Sequence, residues 1–381
     1  MSISSGRVIV VGAGIVGAAC AWYLMRDGHQ VTIVDRAGVG CGATAAGMGH
    51  IVVMDDSPAQ MALTRYSRQL WNDMAPQLPA SAEFVPSGTL WIADDAEEMA
   101  AAEKKAALYK SCDVDAVVLS PAELYAREAN LRPGLAGALL VPADSVIYSP
   151  CAAAWLVNDV CSQGGILIKN AEVKAVRDDC VELRDGRVLQ TDISVIASGT
   201  SLAELLPQFP VRARKGHLVI TDRAPAFVRH QLVELGYLKS AHATEADSVA
   251  FNVQPRATGQ LLIGSSRQYQ MQSAQVDHGI LQAMLNRAFY FMPSLKELGA
   301  VRAWAGFRAA SPDHLPILGP VAGMAGVYVA GGHEGLGITT SLAGGRLIAD
   351  MLAGRTSAID PAPYLPARFA AGSGRERWHH G

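Results

Sequence analysis

Two short, continuous apolar runs lie near the start of the chain, at 7–11 and 30–34, and a longer apolar stretch at 15–27 separates them. Continuous apolar runs of this length are typical of strands buried on both faces of a parallel sheet. The longer stretch has the length of a helix. The pattern therefore predicts a strand–helix–strand unit, followed by a second helix over 58–74.

The pattern changes after residue 83, where the chain becomes richer in strands. In this second region we predict strands at 88–93, 216–221, 248–254 and 260–265, and helices at 95–110 and 277–291. Buried-strand and helical patterns return at 150–163, 172–177 and 193–197, with a hairpin turn at 184–187, and again at 316–354 as turn, strand, glycine loop and helix. We expect these returning segments to join the first sheet.

The two kinds of region alternate along the chain. We therefore predict a mixed α/β (α+β) fold, in which a Rossmann-like nucleotide-binding domain is interleaved with an antiparallel-sheet substrate domain. A chain of 381 residues is long enough for both. The predicted boundaries are 1–75, 143–212 and 301–371 for the Rossmann-like domain, 76–142 and 213–300 for the second domain, and 372–381 for a flexible tail.

Composition narrows the classes of function. The net charge is −3, 18% of residues are charged and no basic stripe is present, so nucleic acid is not an expected partner. Six cysteines occur without a C-x-x-C pair, which predicts neither a metal site nor a disulfide framework. With no export signal, we predict a cytoplasmic protein. A mean hydropathy of +0.18 leaves room for contact with a partner subunit or with the inner face of the cell membrane.

The turn between the first strand and its helix carries the motif Gly12-x-Gly14-x-x-Gly17. The first glycine allows a tight turn, the second lets a pyrophosphate approach the backbone, and the third lets helix and strand pack closely. Asp35 ends the next strand, where its carboxylate suits the hydroxyls of an adenosine ribose. The predicted cofactor contacts here are Gly12, Gly14, Ile15, Val16, Gly17, Asp35 and Arg36, the last as a surface cation.

A second glycine-rich turn, Gly331-Gly332-His333-Glu334-Gly335-Leu336-Gly337, joins an apolar run to a C-terminal helix. Each turn directs the N-terminus of a helix, with free N–H groups and a partial positive charge, at an anion. One such turn indicates a dinucleotide. Two turns and a ribose-binding acid indicate a long cofactor held at both ends, and we predict FAD.

Small residues directly after Asp35, at 38–50, favour a loop whose amide groups cradle more of that cofactor. The predicted contacts from this loop are Cys41, Thr44, Ala46, Gly47 and Met48. Thr44 has a hydroxyl that can donate to a phosphate, and Met48 or His50 would lie near the flavin ring. His50 has the alternative role of an ordinary polar loop residue. The strand end at Ser198-Gly199 and the backbone of Val173 add further contacts.

Arg308 lies in an apolar segment, 304–319, that is marked by glycine and proline. An arginine in such surroundings needs an anionic partner, because burying an unpaired charge is costly. Its planar guanidinium matches a carboxylate with two hydrogen bonds. The residues alone leave two partners open: a substrate carboxylate, or Asp313 in a structural ion pair.

Three segments resemble the D-amino-acid oxidase family of FAD enzymes: GAGIVG at 12–17 with Asp35, AGFRAASPDHLPILG at 305–319, and GGHEGLGITTSLAGGRLIADMLAG at 331–354. This family includes glycine and sarcosine oxidases and amino-acid dehydrogenase β subunits, and the likeness spans nearly the whole chain. Within it, HEGLGITTSLAG is similar to bacterial D-hydroxyproline dehydrogenase subunits, with proline dehydrogenase and hydrogen cyanide synthase subunits next.

The resemblance places Arg308 on the arginine that binds the substrate carboxylate beside the cofactor. It places 335–340 on the loop at the pyrimidine edge of the flavin, which implies contacts from Gly335, Leu336, Gly337, Ile338 and Thr339. No cysteine lies in the late loop in the manner of covalent-flavin relatives, so noncovalent FAD is expected. Many relatives carry a tyrosine in the strand before residue 255, where this chain has none. Tyr237 and Asn252 are therefore the two candidates for a second contact to the carboxylate.

The implied reaction is oxidation of a small amino acid to its imine by hydride transfer from Cα to flavin N5. The first candidate is a dehydrogenase for a cyclic, D-configured substrate such as cis-4-hydroxy-D-proline, which passes electrons to other subunits or to an acceptor protein. The alternatives are a glycine/sarcosine-type amine oxidase and an electron-relay flavoprotein subunit. Glu334, with His333 beside it, would accept the substrate ammonium or brace the loop by a hydrogen bond.

Overall fold

Two sheets, one of six strands and one of eight, organise the computed structural model, which describes residues 5–236, 247–269 and 273–369. The strands are β1 Arg7–Val11, β2 Gln30–Val34, β3 His50–Ile51, β4 Thr89–Ala93, β5 Val117–Leu119, β6 Gly137–Val141, β7 Ser145–Val146, β8 Ile166–Ile168, β9 Val173–Val176, β10 Cys180–Leu183, β11 Val188–Gln190, β12 Ile193–Ile196, β13 Arg212–Arg223, β14 Gln231–Glu234, β15 Ser248–Pro255, β16 Gln260–Arg267, β17 Ala300–Ala310, β18 Ile317–Pro320 and β19 Val327–Gly331. The α-helices are α1 Ile15–Arg26, α2 Ala43–Ala46, α3 Pro58–Met74, α4 Ala96–Ser111, α5 Pro121–Arg127, α6 Ser149–Ser162, α7 Leu202–Leu205, α8 His278–Phe291 and α9 Gly337–Ala353.

The six-stranded sheet has the order β18-β19-β12-β1-β2-β8. β1 pairs in parallel with β12 and β2, and the edge strand β18 runs antiparallel to β19. Val8 and Val10 of β1 belong to a core with α1, α6 and α9, whereas Ile9 and Val11 belong to a second core with β9 and β10. Both faces of β1 are therefore covered, which explains its continuous apolar run.

The eight-stranded sheet has the order β17-β13-β16-β15-β14-β4-β6-β5. β13 and β17 pair antiparallel, and β14 and β4 pair in parallel. Phe251 and Val253 of β15 belong to the core that includes α8, and Phe251 stacks on Phe291 with ring centroids 4.6 Å apart. Asn252 lies between them in the sequence and therefore points to the opposite face of the sheet, because successive side chains in a strand alternate.

The predicted mixed α/β fold is confirmed, and β1 and β2 have the predicted bounds. The assignment of the hairpin at 172–190 to the first sheet is wrong, because β9, β10 and β11 form a separate three-stranded antiparallel sheet. The edge of the first sheet is instead taken by β8, which pairs in parallel with β2. The apolar pattern does not predict β8, whose three residues are all partly or fully exposed.

Residues 301–310, which the predicted boundaries place with the Rossmann-like domain, belong to β17 of the eight-stranded sheet, which pairs with β13. The glycine and the proline of the 304–319 segment differ in position. Gly306 lies within the strand, whereas Pro312 follows its end. The domain boundaries themselves stay a prediction. The predicted flexible tail at 372–381 lies outside the described residues.

Three observations bear on the expectations from composition. All six cysteines are unpaired. Among the described residues, no group of histidine, cysteine and acidic side chains has an arrangement that could hold a metal ion. No helix in the described ranges combines the length and the apolar character needed to cross a bilayer.

Candidate active site

A cavity of about 480 Å³ lies where the carboxyl ends of β1, β2, β12 and β19 meet the eight-stranded sheet. Ligands of open parallel sheets bind in this position, and the volume is in the range of small-molecule sites. The predicted site residues that line it are Gly12, Gly14, Ile15, Val16, Asp35, Arg36, Cys41, Thr44, Ala46, Gly47, Met48, His50, Val173, Ser198, Gly199, Arg308, His333, Glu334, Gly335, Leu336, Gly337 and Ile338. Gly17 and Thr339 are not among the lining residues.

The turn from β1 into α1 depends on two of its glycines. Gly12 has a φ of +110°, and a Cβ there would lie 2.4 Å from the carbonyl oxygen of Ala197 in the neighbouring strand end. A Cβ on Gly17 would lie 1.9 Å from the carbonyl oxygen of Gly12. Gly17 thus acts by allowing close packing rather than by lining the cavity. The tight turn brings the first amide groups of α1, which lack intrahelical partners, to the cavity.

Asp35 anchors the loops around this turn. Its carboxylate accepts hydrogen bonds from the amides of Ala13, Ala37 and Gly38 at 2.8, 2.7 and 2.9 Å. The carboxylate is therefore held at the end of β2, in the position expected of a ribose ligand. Arg36 is exposed and its Nη1 donates to Oγ of Ser201 at 3.1 Å, as a surface cation would.

The 38–50 loop lies between α1 and the eight-stranded sheet. Oγ1 of Thr44 accepts the amide of Ile15 at 3.0 Å, and its hydroxyl hydrogen stays available to a phosphate. The loop reaches the sheet where the strands carry glycine. A Cβ on Gly306 would lie 2.3 Å from Cβ of Ala46, and one on Gly264 would lie 3.0 Å from Sδ of Met48.

The second glycine turn joins β19 to α9 through backbone in the left-handed region. Gly332, Glu334 and Gly335 have φ values of +69°, +49° and +86°. Leu336, at the N-terminal end of α9, provides no side-chain cap, so the first amides of the helix face the cavity. Thr339 is buried instead, and its Oγ1 donates to the carbonyl oxygen of His50 at 2.8 Å, which ties α9 to β3.

Arg308 lies in a recess that two glycines create. A Cβ on Gly216 would lie 2.5 Å from Nη1 of Arg308, and a Cβ on Gly335 would lie 2.9 Å from its Cδ. Nη1 donates to the carbonyl oxygen of Ser266 at 3.0 Å. Asp313 forms its ion pair with Arg368, with Oδ2 2.6 Å from Nε. That pairing favours a substrate carboxylate over Asp313 as the partner of Arg308.

Glu334 is buried and forms an ion pair with Arg214, the residue opposite Arg308 in the β13–β17 pair. Nδ1 of His314 lies 3.6 Å from Oε1 of Glu334. Burial alone would raise the pKa of Glu334, but the nearby His314 and the charge of Arg214 outweigh it and hold that pKa below its ordinary value. An anchored, ionised Glu334 favours the loop-bracing alternative over binding of the substrate ammonium.

The two histidines predicted near the reaction are both desolvated. Burial lowers the pKa of His333 to about 4 and that of His50 to about 4. Both imidazoles are therefore neutral at pH 7. Within the described part of the chain, Nε2 of His333 has no hydrogen-bond partner. Catalytic roles for these two residues stay predictions.

The low pKa of His333 makes stability depend on pH. Because the folded-state pKa lies below the ordinary value of 6.5, the unfolded chain binds more protons between pH 6.5 and about 4. The stability is fully present above pH 6.5 and is lost as the pH falls through this window. His333→Gln should reduce the loss between pH 7 and pH 5 by about 2 kcal/mol. Urea unfolding at the two pH values measures this, with the exposed His278→Gln as control. An unchanged pH dependence in His333→Gln would contradict the assignment.

The further residues that line the cavity from the eight-stranded sheet include Trp91, Gln231 and Asn252. Asn252 was a candidate from the sequence, and the structure brings it to the same cavity as Arg308. Tyr237, the other candidate, lies outside the described residues. Sequence reasoning missed Trp91 and Gln231. The pattern that could have identified them is a polar or amphipathic side chain within an otherwise apolar strand, at 89–93 and 231–234.

The lining fits FAD on three observations. A carboxylate suited to the ribose lies at one end, in Asp35. The N-termini of α1 and α9 present amide groups at two further positions. Gly306, where the 38–50 loop packs against the sheet, lines the cavity with backbone instead of a side chain.

Comparison with known proteins agrees with this fit. A glycine oxidase from Pseudomonas aeruginosa is 28% identical over 387 aligned residues, covering 95% of this chain and 99% of the relative. A D-amino acid dehydrogenase from Methylobacterium nodulans is 25% identical, covering 95% of this chain and 99% of the relative. The crystal structure of glycine oxidase from Geobacillus kaustophilus superposes with a TM-score of 0.85 at 26% identity, covering 95% of this chain and 98% of that one.

The family profile described as FAD dependent oxidoreductase (DAO) matches residues 7–351, which is most of the chain. This match confirms the predicted resemblance and the predicted cofactor. The chain belongs to the DAO family of FAD-dependent oxidoreductases.

Proposed function

We propose that this protein oxidises a small amino acid to the corresponding imine, with FAD as the electron acceptor. The observation that carries the proposal is the recess around Arg308. Gly216 and Gly335 both lack the Cβ that would collide with its side chain, and Arg308 lines the same cavity as the N-terminal end of α9. The amino-acid oxidation named for two relatives supports the same substrate class.

In this proposal, Arg308 binds the substrate carboxylate through two parallel hydrogen bonds and so orients Cα. The bond from Nη1 to the Ser266 carbonyl limits how the guanidinium can rotate. The substrate loses the Cα hydrogen with its electron pair while the nitrogen lone pair forms the C=N bond. FAD, when bound, supplies the two-electron acceptor. Glu334 is a positioning residue, because its ion pair with Arg214 braces the loop that carries Gly335.

Within this class, the first candidate is a dehydrogenase for a cyclic D-amino acid, cis-4-hydroxy-D-proline, with noncovalent FAD. The resemblance of residues 333–344 to D-hydroxyproline dehydrogenase subunits supports it, as does the D-amino acid dehydrogenase relative. The predicted electron acceptor is another subunit or an acceptor protein. The predicted location is the cytoplasm, where the protein would also contact the inner face of the cell membrane.

A second candidate is an amine oxidase of the glycine/sarcosine type. The similarity to glycine oxidase from Pseudomonas aeruginosa and to the solved Geobacillus kaustophilus enzyme favours it. The two candidates share the carboxylate-binding role of Arg308. They differ in the substrate and in whether oxygen accepts the electrons.

Steady-state turnover with four amino acids and two acceptors tests the proposal. Cis-4-hydroxy-D-proline, D-proline, sarcosine and glycine are each assayed with oxygen and with an artificial electron-accepting dye. We expect dye reduction that is fastest with the hydroxyproline and little peroxide. Rapid peroxide formation with glycine or sarcosine would establish the oxidase instead. An FAD-loaded protein that turns over none of them would contradict the proposal and favour the electron-relay alternative.

A further inference from the structure

The face of the eight-stranded sheet that meets the cavity carries three buried polar atoms for which the described residues provide no hydrogen-bond partner. They are Nε1 of Trp91, Oε1 of Gln231 and Oδ1 of Asn252. The three side chains are 2%, 2% and 7% exposed, and all three line the cavity. They stand on three adjacent strands, β4, β14 and β15, in the order of the sheet.

Strand register places these three side chains next to one another. Val233 of β14 is paired with Trp91 on one side and with Asn252 on the other. Paired residues share a face of a sheet, and Gln231 is two residues from Val233 on that face. Nζ of Lys105 lies 4.7 Å from the centroid of the Trp91 ring, and Lys105 is itself ion-paired with Asp55. These contacts restrain the position of the Trp91 ring.

Asn252, the member of the cluster on the strand next to β16, also lies within reach of a ligand bound to Arg308. The guanidinium donates to the carbonyl oxygen of Ser266 in β16. Gly264, two residues earlier in β16, is paired with Asn252. Asn252 is therefore about one strand spacing, roughly 4.8 Å, across the sheet and two residues along it from that anchor point. A small amino acid whose carboxylate is on Arg308 can extend over this distance.

Leaving such groups unpaired is costly, since each buried polar atom without a partner loses about 1–3 kcal/mol. The three side chains that carry these atoms line the cavity: an indole, which donates through its N–H, and two amides, which both donate and accept. A hydroxyl is the group that matches both, because it donates one hydrogen bond and accepts others. An aliphatic group would leave all three atoms unpaired.

We infer that Trp91, Gln231 and Asn252 form a subsite that binds a hydroxyl group on the substrate, away from its carboxylate. The subsite selects hydroxylated small amino acids against their unsubstituted counterparts. This inference rests on the proposed function, because it names the substrate class for the site that Arg308 defines. The 4-hydroxyl of cis-4-hydroxy-D-proline is the group that it would bind.

The test compares substrates that differ by one hydroxyl: cis-4-hydroxy-D-proline against D-proline, and D-serine against D-alanine. The wild-type protein should have a kcat/KM for the better hydroxylated member that is about 10- to 100-fold above its partner. In Gln231→Leu and Asn252→Leu this ratio should fall about tenfold or more, because kcat/KM for the hydroxylated member drops by that much more than kcat/KM for the unsubstituted amino acid. Bound FAD, measured by absorbance, should stay at the wild-type level in both variants.

Ser194→Ala is the matched control. Ser194 also has a buried side-chain oxygen without a partner among the described residues, but it lies in β12 and does not line the cavity. Its replacement should leave the ratio unchanged.

Four outcomes separate this inference from the proposed function. A collapsed ratio in the two cavity variants supports the subsite. A wild-type ratio near one overturns the subsite and leaves the proposed function intact. A ratio that stays at the wild-type value in both variants does the same. The latter includes the case in which Asn252 or Gln231 binds the amine, because both members of a pair would then slow equally. Failure of all these amino acids, and of glycine and sarcosine, to reduce FAD in the wild-type protein overturns both.

Discussion

Replacing Arg308 with alanine is expected to lower kcat/KM for the amino-acid substrate by about 100- to 1,000-fold, because truncating one partner of an enclosed charge pair costs about 2–5 kcal/mol. Arg308→Lys should recover only part of this loss. Lysine keeps the charge but lacks the planar fork that binds both carboxylate oxygens. FAD content should stay near that of the wild type, since the predicted ribose and pyrophosphate contacts come from Asp35 and the Gly12–Gly17 turn rather than from Arg308. Steady-state kinetics and the absorbance of bound FAD measure both quantities.

Arg302→Ala is the matched control for this variant. Arg302 is on the same strand, β17, but it is exposed and does not line the cavity. Its loss should change kcat/KM less than about twofold, as for a surface substitution. An Arg308→Ala enzyme that keeps wild-type kcat/KM and KM would remove Arg308 from substrate binding and, with it, the basis of the proposed function.

Replacing Gly12 with alanine should yield protein that does not retain FAD. The residue has a φ of +110°, and its new Cβ would lie 2.4 Å from the carbonyl oxygen of Ala197. The turn must open to relieve this contact, and opening it moves the N-terminus of α1 away from the pyrophosphate position. We expect less than about one tenth of the wild-type FAD content after gel filtration.

Gly28→Ala is the control that tests whether FAD loss in Gly12→Ala comes from the collision with Ala197 or from the positive φ alone. Gly28 also has a positive φ, of +86°, but no described residue beyond its own chain neighbours lies within 4 Å of the position that a Cβ would take. Its replacement should cost about 1–2 kcal/mol of stability through backbone strain alone and leave FAD content unchanged. Thermal unfolding and FAD absorbance give the two readings. Equal FAD loss in both variants would show that the collision with Ala197 is not what matters at Gly12.

The parts of the site that are predictable from the sequence are those that a short segment determines by itself. The Gly12–Gly17 turn, Asp35 and the 331–337 turn each require particular residues at fixed spacing, so their presence at one cavity follows from the motif and the parallel sheet. The bounds of β1 and β2 were predictable for the same reason, since both faces of these strands are buried and the apolar run is unbroken.

Other features depend on strand register between distant segments. Trp91 and Gln231 meet Asn252 only because β4, β14 and β15 are neighbours in the eight-stranded sheet, and no local pattern specifies that order. The recess of Arg308 likewise needs Gly216 from β13. The two roles left open for Glu334 could be weighed only when Arg214, far away in the sequence, was seen beside it.

Anaerobic mixing of FAD-loaded protein with an amino acid, and with the amine that lacks its carboxylate, tests whether this site oxidises a substrate held by its carboxylate. The pairs are cis-4-hydroxy-D-proline with 3-hydroxypyrrolidine, D-proline with pyrrolidine, sarcosine with dimethylamine, and glycine with methylamine. Flavin absorbance at about 450 nm reports reduction of the cofactor. We predict rapid bleaching by at least one amino acid and none by its amine at the same concentration. Bleaching by the amine at an equal rate, or by no amino acid, would contradict the proposed function.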